Sequence, residues 1–118
     1  MSSADLWRFR VEHIVDAIQA IQDYVAGLDE SALAGDRKTL DAVLRNFQVI
    51  GEASRKIPTE VKQRHPELPW REMERMRHKI VHDYDRVSVP TVWRTVLDDL
   101  APLLPLLAHL LAVETDET

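Results

Sequence analysis

Arg77, His82 and Tyr84 fall within the eight-residue run Arg77-His78-Lys79-Ile80-Val81-His82-Asp83-Tyr84, and their types suit phosphate chemistry. A guanidinium grips a phosphate with a planar fork of donors, and an imidazole, with a reference pKa of about 6.5, moves a proton near neutral pH. Cutting RNA with its own 2'-hydroxyl needs a base for the hydroxyl proton, positive donors as charge builds on the phosphate, and an acid for the leaving oxygen. Arg77 and His82 supply the donors and one proton-transfer group. A single imidazole does not easily fill both proton roles at once, so a catalytic reading of this pair implies a homodimer that brings two copies to one cleft.

The same residues have plainer readings. A histidine near a helix C-terminus complements the helix dipole, an arginine one turn earlier pairs with a carboxylate, and Tyr84 serves as a core aromatic with its hydroxyl at the surface. His78 and His82 are also four residues apart, a helical spacing at which two histidines share a metal. The zinc-protease version needs a glutamate just after the first histidine, where this chain has Lys79, and no third ligand is obvious. Neither a metal nor another cofactor is expected.

Those residues need a helix to carry them and neighbours to hold it. Residues 4 to about 28 show the clearest periodicity: Trp7, Val11, Ile14, Ile18, Ile21, Val25 and Leu28 step by four and three, the seam of a helix packed along its length on another. Ser2 or Ser3 can cap its start, and Gly27 with Asp29-Glu30-Ser31 marks its end. A second helix is predicted from about Asp36 to Ile57, stopped by Pro58. Its apolar face is Leu40, Val43, Leu44, Phe47, Ile50 and Ile57, while Arg45, Gln48, Glu52 and Arg55 form a polar stripe. On its own that stripe is a solvated, salt-bridged face; opposite the motif it would be a cleft wall. Gly51, inside this helix, costs up to about 1 kcal/mol relative to alanine, which predicts the close approach of another backbone.

Thr59 to about Arg64 reads as a short helix capped by Thr59, and 65–69 as a connector with His65 exposed to solvent. From Trp70 a third helix places Trp70, Met73, Met76, Ile80 and Tyr84 on one face and carries the motif at its end. Asp85-Arg86-Val87 is a turn, and Ser88 with Pro90 starts the last helix. That helix buries Val92, Val96, Leu100, Leu103, Leu104, Leu107, Leu110 and Leu111, with a bend expected near 99–102 because Pro102 and Pro105 fall inside it. The expected fold is all-α: an antiparallel four-helix bundle with a short extra helix and a proline-kinked last helix, forming one domain over 1–118 with a frayed acidic tail over 114–118.

The chain has 118 residues, no cysteine and a formal net charge of -5. Thiolate chemistry and disulfides are excluded, and no apolar run approaches a membrane span, so a soluble, cytoplasmic protein is expected. The net charge would repel nucleic acid, yet residues 37 to 86 hold 12 of the 15 Lys and Arg against 8 of the 20 Asp and Glu. Positive charge is concentrated around the motif, whether as a binding surface or as ordinary solvated helix faces.

Arg77-x4-His82-x-Tyr84 resembles the signature of HepT-like proteins, a branch of the HEPN superfamily of small helical RNases. Phe47-Gln48-Val49-Ile50-Gly51-Glu52-Ala53 is similar to the family's second-helix segment, Pro69-Trp70 to its entry to the third helix, and Val92-Trp93 to its final helix. The resemblance runs from about Trp7 to Leu111. It implies a HEPN-like bundle, a homodimer with a composite metal-independent RNase site, and a role as toxin beside a minimal nucleotidyltransferase antitoxin of the MntA type. Arg77 and His82 would be the catalytic pair and Tyr84 the residue inactivated by AMP transfer. His78 stands where the family commonly has asparagine, and Arg45 and Glu52 would support the cleft. Two other classes remain open: a non-catalytic nucleotide- or substrate-binding subunit of a two-component nucleotidyltransferase, and an inert helical interaction module built on the first helix.

Overall fold

The computed structural model describes residues 3–77 and 88–114, with side chains from Leu6 onward. His78, His82 and Tyr84 therefore lie outside the described residues. The chain is an all-α bundle. Its elements are α1 (Ser3–Val25), α2 (Glu30–Ala34), α3 (Arg37–Arg55), α4 (Thr59–Arg64), α5 (Trp70–Arg75), α6 (Val89–Arg94), a π-helical turn over Thr95–Leu100, and α7 (Leu103–Val113).

The α1 seam packs as its spacing predicts: Trp7, Val11, Ile14, Ile18, Ile21 and Val25 are all buried, and α3 meets them with Leu40, Val43, Leu44, Phe47 and Ile50. Gly27 adopts a left-handed φ of 80°, which ends the helix without the strain a side chain would bring. The polar residues after it do more than stop α1. Asp29 caps a second helix, its carboxylate accepting the Ala32 amide at 2.7 Å, and that short helix delivers Leu33 fully buried into the core. At the start of α3, Asp36 accepts the Thr39 amide at 3.1 Å and the Thr39 hydroxyl at 2.6 Å, which lower its pKa.

Three expectations change in the second half. The cap of α4 is Pro58 rather than Thr59: the Pro58 carbonyl accepts the Val61 and Lys62 amides, and Thr59 is already helical. Helix α5 is described only over Trp70–Arg75, with the Met76 amide tightening onto the Met73 carbonyl and Met76-Arg77 forming a turn. The bend in the last helix occurs where expected, with 42° between Val89–Leu100 and Leu103–Val113, but it is built from a widened π turn ahead of Pro102. Pro105 does not kink α7, because it sits in the first turn where its missing N–H has no partner to lose. No single helix among the described residues is long and apolar enough to cross a membrane. The bent pair buries Val92, Val96, Leu100, Leu103, Leu107 and Leu110 within the bundle.

The largest departure concerns His65 and Glu114, expected as an exposed loop residue and the start of a frayed tail. Both are buried, at 5% and 8% exposure. Glu114 takes two hydrogen bonds from Arg64, at 2.7 and 3.0 Å, and lies 2.8 Å from His65 Nε2. The other ring nitrogen of His65 faces Glu67 at 3.3 Å, and its carbonyl accepts the Trp70 indole N–H at 2.9 Å. The end of α7 is thereby clamped to the connector that launches α5. Sequence spacing hides this contact, because its partners stand about fifty positions apart.

The Arg64 hydrogen bonds outweigh burial and, with His65, hold the Glu114 carboxyl at about 2, below its ordinary 4.5. A depressed carboxyl stabilises the fold at pH above its unfolded value and loses that contribution as pH falls towards its folded value. Urea denaturation should therefore show stability falling between about pH 4.5 and 2, with Glu114→Gln costing about 2 kcal/mol at neutral pH and flattening that acid limb.

Candidate functional site

Arg77 is placed by a contact with backbone. A Cβ added to Gly51 would lie 2.6 Å from the Arg77 Cβ and 2.9 Å from its Cα, and closer still to its amide nitrogen. Only glycine lets α3 and the Arg77 turn approach this far, which explains a helix-breaking residue in the middle of α3. Glu52, the next residue, then reaches the Arg77 guanidinium, with Nη1 donating to Oε1 at 2.9 Å. Its other oxygen lies 3.5 Å from Arg55. The Arg77 hydrogen bond, opposed by partial burial and assisted by the charges of Arg77 and Arg55, lowers the Glu52 pKa. Glu52 thus remains ionised into the acidic range and fixes one edge of the Arg77 fork.

Arg77 is half-buried, and its remaining donors make no other hydrogen bond among the described residues. A guanidinium has five donors, so one edge can be anchored while the rest stay available for a phosphate. Helix α5 is tied to α4, where Lys62 pairs with Glu74 at 3.0 Å.

Two basic concavities meet at the Glu52–Arg77 pair. A groove of about 210 Å³ between α1 and α3 is lined by Arg10, His13, Arg45, Gln48, Glu52 and Lys56, with Val49 and Ala53 also contributing. A second cleft of about 460 Å³ is lined by Arg55, Arg71, Arg75 and Arg77, with Glu74 the sole carboxylate among its described lining. Glu52 belongs to the first and Arg77 to the second, and each is largely neutralised by the other. Among the described residues, the remaining charged side chains on both walls are predominantly basic, a lining that would attract an anion.

Of the residues singled out by sequence, Arg77 and Glu52 are brought into direct contact, and Arg45 lines the groove beside Glu52. Arg10 and His13 were not signalled, because attention to the apolar seam of α1 passes over its other side. Their spacing of three places them on one helical face, which a search for basic pairs flanking the seam would have found. Arg71 and Arg75 repeat that pattern at a spacing of four on α5. Among the described residues no three histidine or acidic side chains group as a metal site.

The family model described as HepT-like, ribonuclease HepT-like, matches residues 14–110. A Thermococcus cleftensis protein named "Probable ribonuclease HepT" is 43% identical over 93 residues, covering 79% of this chain and 84% of that protein. A candidate RNase of Caldanaerobacter subterraneus is 30% identical over 93 residues, covering 79% and 83%. A candidate RNase of Methanocaldococcus jannaschii is 33% identical over 82 residues, covering 70% and 71%. No solved structure matches.

Replacing Gly51 tests the placement of Arg77. Gly51→Ala should cost about 2 kcal/mol by overpacking against the Arg77 backbone. Gly35→Ala, where the nearest atoms would be 3.7 and 3.8 Å from the new Cβ, should change stability by less than about 0.5 kcal/mol. Chemical denaturation of the two variants side by side measures the difference.

Proposed function

Because this chain belongs to the HepT-like ribonuclease family, we propose that it is a metal-independent endoribonuclease acting as the toxin of a toxin–antitoxin pair. The observation that carries the reading is the anchored arginine: Gly51 and Glu52 hold Arg77 where two basic concavities join. Such a wall suits a strand of RNA, with its backbone along the basic surface and one phosphate at the Arg77 fork.

In this proposal Arg77 grips the scissile phosphate and stabilises charge as the 2'-hydroxyl attacks, expelling the 5'-oxygen of the next nucleotide. His82 transfers protons as general base or general acid. The second proton role falls to His82 of a second copy, so the active form is a homodimer. Glu52 orients Arg77, Arg45 contributes to binding of the strand, and His78 flanks the pair. The partner is a nucleotidyltransferase antitoxin of the MntA type, which transfers AMP to Tyr84. A nucleotide attached two residues from His82 brings bulk and a negative phosphate to the place where RNA must lie, blocking the site sterically and electrostatically.

The experiment is cleavage of total RNA in the presence of EDTA, with Arg77→Ala and His82→Ala as controls. Cleavage should persist in chelator and fall at least about 100-fold in each variant. Loss of cleavage in EDTA, or full activity in either variant, contradicts the proposal; nucleotide binding without cleavage would identify a binding subunit instead. Tyr84→Phe should retain cleavage and escape inactivation by AMP transfer, and an antitoxin that still silences it by AMP transfer would place the switch at another residue.

A further inference from the structure

The face of α5 turned away from the arginine cleft closes a different pocket, of about 380 Å³, against the π turn and the start of α7. Its inner surface is apolar: Met73, Met76 and Leu103 are buried there and Leu106 is half-buried. Among the described residues its charged lining is acidic. Glu67 and Glu72 stand on one side and Asp98 and Asp99 on the other, with no lysine or arginine among the described lining. Glu67 faces His65, whereas Glu72, Asp98 and Asp99 have no cationic partner among the described residues. A π turn is a rare geometry that recurs at functional sites. Here it places Asp98 and Asp99, both exposed, on the lining of a pocket whose floor is apolar.

We propose that this pocket is a docking site for a partner protein, occupied by an arginine or lysine with an aliphatic neighbour. The argument is complementarity of two kinds at one place. Long basic side chains lay an apolar stem on apolar surface and keep the charged head at its edge, which matches an apolar floor with an acidic rim. Methionine at the floor adapts to occupants of different shape. A bare inorganic cation would leave the floor unused, and RNA would be repelled by the rim. Met76 directly precedes Arg77, so the partner docks on the reverse side of the turn that carries the anchored arginine. The proposal rests on the pocket alone and does not depend on RNase activity.

The test is selection of a random peptide library displayed on phage against the full chain, followed by fluorescence anisotropy of the enriched peptides. Enriched peptides should carry arginine or lysine beside leucine, isoleucine or methionine. Their binding should weaken at least about tenfold in the double variant Asp98→Asn, Asp99→Asn and again when their aliphatic residue is replaced by serine. Both aspartates are exposed, so the double variant should fold as the parent does, which circular dichroism checks. Failure to enrich basic-aliphatic peptides, binding unaffected by the double variant, or displacement by spermine as effective as by the unlabelled peptide would each overturn the proposal.

Discussion

The approach of α3 to the Arg77 turn is the constraint on which the candidate site depends. With no side chain at Gly51, the two backbones come closer than any other residue would allow, and the following residue, Glu52, is delivered to the arginine. The contact lets one helix position both the wall of the groove and the charged partner that aligns its neighbour. Helix propensity is sacrificed by up to about 1 kcal/mol at this position, a local cost that makes sense only through the tertiary contact it permits. Lys62 ties α4 to α5 through Glu74, and Glu114 clamps the end of α4 and the connector that leads into α5.

Charge is distributed by face, so the formal net of -5 hides a basic cleft and an acidic pocket among the described residues. One side of α5 contributes Arg71 and Arg75 to a basic cleft, and the other contributes Glu72 to an acidic pocket. Six residues of helix are enough to separate the two, because positions three and four apart share a face while their neighbours do not. A polyanion and a basic partner could therefore be held on either side of a single short helix without competing.

Much of the fold was legible in the sequence, because it rests on local periodicity. The α1 seam, the apolar face of α3, the Ser88 cap and the bend before α7 all follow from spacing and from proline. Gly51 was also legible as a point of close approach, although only the structure names Arg77 as the neighbour. The polar stripe of Arg45, Gln48, Glu52 and Arg55 was visible, but that Glu52 pairs with Arg77, 25 residues on, was not. What the sequence concealed was either too short or too distant to leave a period. Helix α2 is a single capped turn within residues that also terminate α1. The burial of His65 and Glu114 depends on partners nearly fifty residues away, and a polar residue satisfied by such a partner looks, in sequence, like any exposed one.

The central claim is that an anchored arginine and a histidine cut RNA through its own 2'-hydroxyl, and the chemistry of the cut ends reports on it most directly. Mass spectrometry of a short RNA cleaved by the purified chain should find 2',3'-cyclic phosphate on one fragment and a 5'-hydroxyl on the other, since the attacking oxygen comes from the substrate. Fragments bearing 3'-hydroxyl and 5'-phosphate ends from the outset would mean that water attacks instead, and would contradict the account.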